Sequence, residues 1–395
     1  MRVLILHNDF RVYWKGRLTY LKEFLNSNGI EFYAVELFGQ GSPYIFDSYD
    51  NVEKWWTCLF PESSNRQISS INLEKALFDK LDEINPDIVI AGSIVFYSGA
   101  LGIRWAKHHN KKFIMFDDAK PSQVKRNFIV RWVKNQITTQ IDGLWLPSEH
   151  YYNEYSNLDR QKTVFFTGYN TIDNQLFKFK SQRELNHKVI ICVARFVPIK
   201  NLNNLIKAWK LVETRVPDYK LVIIGDGPEF ERLNKLGTNL GVKTVLFLGA
   251  IPNTDIPTYF FNANAFILPS LSESWGLVVN EAMAAGLPVL LSKRINANES
   301  LLEEGINGFS FNPLSISEMT DKILTYLNTD DETKKQMSQN SLKIINSMSY
   351  EVMGSILLKA LPEIINKKSN EPGIIAKYII NFWHGKYNTA SWDKL

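Results

Sequence analysis

Residues 265–286 read AFILPSLSESWGLVVNEAMAAG and predict a strand, a loop and a helix in direct succession. The apolar run at 265–268 has the length of a buried strand. Apolar and small residues follow over 278–285, and Gly286 with Pro288 beyond it predicts the end of a helix. The segment therefore predicts one strand and one helix of an α/β layer, joined by a loop at the carboxyl end of the strand.

The same alternation extends in both directions along the 395 residues. Apolar runs predict strands at 3–6, 32–37, 88–91, 112–116, 143–146, 163–166, 188–193, 221–224, 245–248, 265–268 and 289–291. Residues 38–66 are interpreted as irregular because Gly, Ser, Pro and aromatic residues interrupt any pattern. Alternating strands and helices predict parallel sheets covered on both faces, and two such series predict two Rossmann-like domains.

We expect the two series to be separated in the polar stretch 173–187. The predicted domains are 1–175 and 176–372, followed by a C-terminal segment 373–395. Ligands of open α/β sheets bind at the carboxyl ends of the strands, so two such domains facing across a deep cleft would hold the site there.

Net charge, cysteine content and the lengths of the apolar runs indicate what kinds of partner and compartment to expect. The net charge of +4 does not by itself indicate nucleic acid, and it is compatible with an anionic small ligand or an anionic membrane surface. Cys58 and Cys192 are far apart and form no disulfide framework or zinc-binding spacing. With no signal peptide and no long apolar run, we expect a cytoplasmic protein. Peripheral contact with the inner face of the membrane is an open alternative.

Four charged residues follow predicted strands of the second series. Glu273 lies in the loop after 265–268, and Glu281 lies in the helix that follows. Arg195 and Lys200 follow the strand at 188–193. An arginine fork with a lysine point charge suits a diphosphate, as does the positive end of a helix. Each residue alone is equally compatible with an ordinary solvated surface.

The order of these motifs resembles glycosyltransferase family 4, the glycosyl transferases group 1. The motifs are Arg195…Lys200, Gly225-Asp226-Gly227-Pro228, Glu273…Glu281 and Gly305-Ile306-Asn307-Gly308. The resemblance covers about residues 165–313 and is much weaker in the first half. It implies the GT-B fold and retaining transfer of a sugar from a nucleoside-diphosphate donor, with UDP the expected nucleotide. The implied acceptor is a saccharide or lipid-linked glycan in cell-surface polysaccharide or glycoconjugate synthesis.

The resemblance also implies residue roles. The implied catalytic residues are Glu273, Arg195 and Lys200. Of these, Arg195 and Lys200 would hold the diphosphate. The implied donor-binding residues are Glu281, Ser274, Trp275, Gly276, Leu277, Gly16 and Gly225. Gly16 is the single glycine in a loop where the family usually has a pair. We expect no metal and no cofactor beside the sugar donor, since no Asp-x-Asp pair occurs in a suitable loop.

The acceptor side is less defined, because the first series lacks an obvious active-site histidine. Asp118 and Lys120 occupy the corresponding strand end, and His7 ends the first strand. All three are acceptor candidates, although a structural role for His7 is the stronger alternative. The resemblance implies that the last helix, within 374–395, packs on the first domain. Its aromatic and basic residues leave membrane-surface contact open.

Other functions remain as alternatives. A GT-B epimerase or a non-catalytic nucleotide-sugar binder would share the donor site. A phosphorylase would need a lysine for pyridoxal phosphate, and no such signal is visible. A nicotinamide dehydrogenase is disfavoured because no Gly-x-Gly-x-x-Gly follows the first strand. We expect no nucleic-acid partner.

Overall fold

A computed structural model describes residues 1–10, 13–40, 54–124, 126–178, 188–369 and 371–385. The chain forms two compact units. The first combines residues up to Asn170 with those from Tyr350 onward, and the second is Thr171–Ser349. Each unit contains one parallel sheet.

The first unit has a seven-stranded sheet in the order β3-β2-β1-β4-β5-β6-β7 within the described ranges. Its strands are β1 (Arg2–His7), β2 (Glu31–Phe38), β3 (Trp56–Phe60), β4 (Ile88–Ala91), β5 (Lys112–Phe116), β6 (Gly143–Leu146) and β7 (Val164–Thr167). The described part of the second unit has a six-stranded sheet in the order β10-β9-β8-β11-β12-β13. Its strands are β8 (Val189–Val193), β9 (Lys220–Ile224), β10 (Val245–Gly249), β11 (Ala265–Leu268), β12 (Val289–Ser292) and β13 (Gly308–Phe311).

Helices connect the strands in both units. They are α1 (Tyr13–Ser27), α2 (Ser70–Ile84), α3 (Tyr97–His108), α4 (Phe128–Thr138), α5 (Asn174–Phe177), α6 (Leu202–Glu213), α7 (Phe230–Asn239), α8 (Ile256–Phe261), α9 (Leu277–Ala284), α10 (Asn298–Leu301), α11 (Ile316–Asn328), α12 (Asp331–Ile345), α13 (Tyr350–Asn366) and α14 (Ile374–Phe382). In the described part of the chain, three short 3-10 helices cover Pro121–Gln123, Glu149–Tyr155 and Pro198–Lys200.

The apolar residues that form the core of each unit recur at helical spacing along its helices. Leu18, Leu21 and Leu25 lie on one face of α1 and are fully buried, in one cluster with Leu357 and Leu361 of α13. In the second unit the apolar face of α6 packs against the sheet in the same way. Apolar side chains three or four positions apart share a face of a helix, so one stripe of each helix covers the sheet.

Two strands were not predicted from the sequence. β3 lies inside the stretch interpreted as irregular, of which 41–53 is outside the described residues, and β13 follows the turn at 305–307. Both lie at sheet edges, where one side of the strand has no neighbour. Their side chains are only partly buried at several positions, so they lack the continuous apolar run of a central strand.

The domain division differs from the expected one at its second boundary. Residues 350–372 were expected in the second domain, but α13 packs against α1 and β7 and belongs to the first unit. Its buried face includes Met353, Leu357 and Leu361, which complete the first core. Helical periodicity reports which face is buried but not which sheet it covers.

α14 also belongs to the first unit, where it packs against α3 and α4. The buried guanidinium of Arg104 on α3 donates to the carbonyls of Ile380 (3.0 Å) and Trp383 (2.8 Å) and pairs with Glu74. The rest of the predicted C-terminal segment, 386–395, lies outside the described residues. Within the described ranges no helix has the length and apolarity needed to cross a bilayer.

Candidate active site

The sheet of the second unit has a topological switch point between β8 and β11. From β8 the chain proceeds through β9 to β10 on one side, and from β11 through β12 to β13 on the other. The loops after β8 and β11 therefore both start at the carboxyl ends of their strands and continue in opposite directions. Open α/β sheets bind ligands at this position. The loop after β8 carries Arg195 and Lys200, and the loop after β11 carries Glu273.

Lys200 and Glu273 are brought into direct contact. The Lys200 ammonium donates to Glu273 Oε1, and Ser270 Oγ donates to the same oxygen at 2.9 Å. Both charged side chains are largely buried, with 21% and 12% of their surface exposed. Arg195 is partly exposed two residues after β8. The predicted catalytic residues thus lie on adjoining loops at one sheet edge.

Asn201 fixes those two loops to each other. Its backbone is left-handed (φ 58°), and its side chain makes no capping bond to α6, contrary to the capping role that its position suggests. Instead its amide donates to the carbonyls of Pro269 (3.0 Å) and Pro313 (2.8 Å). The Leu271 amide also donates to the Ile199 carbonyl (2.8 Å). The buried amide of Asn201 therefore positions the loops that carry Lys200 and Glu273.

Helix α9 begins directly beside Glu273. Gly276 precedes it with φ 97°, a conformation that favours glycine, and Ser274, Gly276 and Leu277 remain partly exposed. The N–H groups at the start of a helix and the helix dipole suit an anion. Glu281 is buried in the second turn. The Trp275 side chain is also buried and donates from Nε1 to Asn280 Oδ1 (2.9 Å), so its predicted donor contact would be made by its backbone.

The backbone conformation and the lack of space at position 225 both require glycine. Its φ is 138°, and a Cβ at this position would lie 1.9 Å from the Ala194 carbonyl oxygen. Gly227 is equally restricted, since its Cβ would lie 2.6 Å from the Phe196 carbonyl oxygen. Both glycines let the turn after β9 pass close to the loop that carries Arg195. The geometry accounts for the Gly-Asp-Gly motif through this close approach.

Gly16 does not lie in a loop as the sequence suggested. It lies in the first turn of α1, and a Cβ there would meet the Tyr350 hydroxyl at 2.5 Å. The expectation that Gly16 occupies the loop after β1 is therefore wrong, because the helix begins at Tyr13. Its lack of a side chain permits the contact between α1 and the start of α13.

The first unit gathers a second set of ionisable groups at the carboxyl edge of its sheet. Asp117 and Asp118 follow β5 directly. Burial, together with the charge of Asp117, raises the pKa of Asp118 to about 6. Burial also raises the pKa of Asp117 and, together with both aspartates, raises that of Tyr169 well above its ordinary value. A carboxyl group with a pKa near neutrality can exchange a proton at physiological pH.

The other two acceptor candidates are held by aromatic rings. The His7 ring stacks on Phe116 with centroids 5.7 Å apart, and burial lowers its pKa, so the neutral imidazole is favoured. The Lys120 ammonium lies 5.3 Å from the centroid of the buried Tyr151 ring. His7 and Asp118 lie at the ends of β1 and β5, while Lys120 is buried against the protein interior.

Arg17 is a charged residue of this region that the sequence analysis did not identify. It is buried in α1, burial lowers its pKa, and its charge acts on Asp118 and Tyr169. Its guanidinium lies 5.1 Å from the Trp14 ring centroid. The signal in the sequence was an arginine on the apolar stripe of α1, directly before Leu18.

Among the described residues, no group of three or more His, Cys, Asp or Glu forms a metal site in either unit.

Comparisons with known proteins agree with this geometry. The family model "Glycosyl transferases group 1" matches residues 173–344. An uncharacterized glycosyltransferase of Haemophilus influenzae is 33% identical over 42% of this chain and 47% of its own length. Alpha-monoglucosyldiacylglycerol synthase of Acholeplasma laidlawii is 24% identical over 89% of this chain and 93% of its own. Sucrose-phosphate synthase of Thermosynechococcus elongatus superposes with a TM-score of 0.74 at 16% identity, covering 93% and 100% of the two chains.

These matches confirm the predicted fold class and, over residues 173–344, the resemblance to the predicted family. Residues 173–344 match the model of the glycosyl transferases group 1, and the chain has the GT-B fold, with one Rossmann-like sheet in each unit. The match to the family model lies within the second unit, where Arg195, Lys200, Glu273 and Glu281 are found. The chain spans about a third to a half of the length of the first relatives it matches, from 32% to 54%.

Proposed function

We propose that this protein is a retaining glycosyltransferase that moves a hexosyl group from a nucleoside-diphosphate sugar. The observation that carries the proposal is the arrangement of Arg195, the Lys200–Glu273 pair and the first turn of α9 at the switch point of one sheet. This arrangement lies inside the segment that matches the family model.

The chemistry follows from the charge that develops during transfer. Cleavage of the bond between sugar and phosphate leaves negative charge on the diphosphate and positive character on the sugar ring. Arg195, Lys200 and the N–H groups at Gly276 and Leu277 stabilise the diphosphate, and Glu273 accepts hydrogen bonds from the sugar hydroxyls. Glu281 binds the ribose. The donor supplies the leaving group, so this assignment requires neither a metal nor another cofactor.

The proposed acceptor is a saccharide or a lipid-linked glycan, bound by the first unit near Asp118 and His7. A lipid acceptor is supported by the similarity to alpha-monoglucosyldiacylglycerol synthase of Acholeplasma laidlawii. It would place the protein on the cytoplasmic face of a membrane. An epimerase or a non-catalytic binder would share the donor site, and acceptor-dependent release of the nucleoside diphosphate distinguishes the three.

The donor site is tested by thermal unfolding in the presence of UDP-, GDP- and ADP-sugars. A ligand at a hundred times its dissociation constant stabilises the folded state by about 2.7 kcal/mol. We expect a clear rise in the unfolding midpoint with one nucleotide, UDP being the expected one, and loss of this rise in Arg195→Ala and Lys200→Ala. Each substitution should also lower kcat by about two to three orders of magnitude.

The matched controls are Arg215→Ala and Lys235→Ala, which remove exposed cations of the same unit away from the site. These controls should keep the nucleotide-dependent shift and the transfer rate. The proposal fails if no nucleotide sugar stabilises the protein, or if both site variants turn over like the wild type.

A further inference from the structure

The first unit exposes an unusual share of large apolar side chains. Of sixteen such side chains exposed in the described ranges, seven lie on α4 and α14. These two helices pack against each other. Isolated exposed apolar residues are ordinary, whereas a grouped set indicates an interaction surface.

Helix α4 carries its apolar residues on the outside. Phe128, Ile129 and Trp132 are 80%, 57% and 48% exposed and share one face of the helix. The residues that it buries are Lys134 and Ile137. The exposed aromatic side chains therefore contribute nothing to the core of the unit.

Helix α14 repeats this arrangement beside it. Ala376 and Ile380 are buried, while Ile374, Ile375, Tyr378 and Phe382 are at least 60% exposed. The four exposed positions recur at three- and four-residue spacing along one face. We call these side chains, together with Phe128, Ile129 and Trp132 of α4, the interfacial face.

Positive charge predominates around the interfacial face, although Glu371 is exposed just before α14 and the Glu74 carboxylate pairs with Arg104 near the end of that helix. Residues 119–141 contain five Lys or Arg and no Asp or Glu, and residues 372–385 contain Lys377 and no acid. Arg131 and Lys377 are exposed on the two helices themselves. Aromatic and aliphatic side chains flanked by cations on a surface helix are typical of helices that lie in the headgroup region of an anionic bilayer.

We propose that the interfacial face docks the first unit onto an anionic membrane surface. The proposal deepens the proposed function, because it identifies the surface through which a lipid-linked acceptor would be reached. The excess of positive charge favours anionic lipid as the occupant.

The position of the interfacial face within the unit supports this role. The start of α4, with Phe128 and Ile129, follows the loop of Asp117 and Asp118 after β5. The end of α14 is fixed near the same sheet edge, where Trp383 Nε1 donates to the Ile94 carbonyl (2.7 Å) just beyond β4. Docking would bring the carboxyl edge of this sheet, where His7 and Asp118 lie, close to the lipid headgroups.

Vesicle flotation of the full chain tests the proposal. We expect the wild type to float with vesicles of phosphatidylcholine and phosphatidylglycerol in equal parts, and to float poorly with phosphatidylcholine alone. The variants Phe128→Ser with Trp132→Ser, and Tyr378→Ser with Phe382→Ser, should each weaken binding by about tenfold or more. Arg131→Gln with Lys377→Gln should weaken it by about fivefold for each charge removed.

Ile71→Ser and Leu211→Ser are the matched controls, since they remove exposed apolar side chains from other helices. They should float like the wild type. Nucleotide-dependent thermal stabilisation should persist in every variant, which shows that each is folded and separates this test from that of the donor site.

Flotation that is equal in wild type and face variants, or that does not depend on anionic lipid, overturns the proposal. So does a wild-type dimer that becomes monomeric in the face variants, because the face would then join two copies of the chain.

Discussion

The Lys200 ammonium is hydrogen-bonded to the Glu273 carboxylate, although the two residues are 73 positions apart in the sequence. Two residues to which the family resemblance assigned catalysis therefore form one ion pair. Each charge is largely shielded from water, so each depends on the other. A diphosphate that approaches Lys200 meets a cation whose charge is already partly offset by Glu273.

The pair predicts opposite effects of its two substitutions on nucleotide binding. Glu273→Gln removes the negative charge beside Lys200, so UDP should bind more tightly while sugar transfer slows. Lys200→Ala leaves the Glu273 carboxylate charged and hydrogen-bonded to the Ser270 hydroxyl without the lysine cation, so UDP binding should be lost. Isothermal titration with UDP measures both effects. Weaker UDP binding in Glu273→Gln would show that the carboxylate itself supports nucleotide binding.

Gly225→Ala should destabilise the second unit. The left-handed backbone and the 1.9 Å approach to the Ala194 carbonyl leave no space for a methyl group. We expect a loss of about 3 kcal/mol or more in the free energy of unfolding. Gly241→Ala is the control, because its φ is 61° and no atom lies within 4 Å of its Cβ position, so it should cost only about 1 kcal/mol. Denaturant titration compares the two, and equal costs would contradict the steric explanation.

The pKa of Asp118 predicts a pH dependence of stability. Burial raises it from 3.8 to about 6, so the folded state retains a proton that the unfolded state has released. The free energy of unfolding should therefore fall as pH rises through this window, by about 1–2 kcal/mol after allowance for partial exposure. Asp118→Asn should remove this part of the decline.

Denaturant titrations between pH 4 and pH 7 measure this effect in wild type, Asp118→Asn and a control, Asp79→Asn on the exposed side of α2. The Asp79 variant should follow the wild type. Parallel curves for wild type and Asp118→Asn would mean that Asp118 is as well solvated in the folded protein as in the unfolded chain.

Arg104→Ala should release the end of α14. The buried guanidinium binds two carbonyls of the last helical segment and the Glu74 carboxylate, so its removal leaves several acceptors unsatisfied. We expect a loss of about 3 kcal/mol in stability and increased amide hydrogen exchange in 374–385. Exchange that increases equally throughout the first unit would indicate general destabilisation instead.

The donor half of the site could be predicted because its parts are local. The loop with Glu273 and the start of α9 lie within one strand–loop–helix segment, and the apolar runs on either side indicate where it begins and ends. Gly16 was misplaced because the loop after β1 is shorter than expected and α1 begins at Tyr13. Arg17 was missed although it lies on the apolar stripe of α1, because an arginine next to apolar residues is usually exposed at its charged end.

Local sequence patterns suffice to predict two series of alternating strands and helices, the carboxyl-end position of the charged residues, and the resemblance to a known family. These features depend on periodicity and on residue types within short segments. Other features follow only from the folded chain: α13 completes the first core, Lys200 pairs with Glu273, Asn201 joins two loops, and α4 and α14 expose a common type of face. Each of these features is a contact between segments that are distant in sequence. Such contacts depend on packing and hydrogen bonding in three dimensions, and local sequence patterns do not specify them.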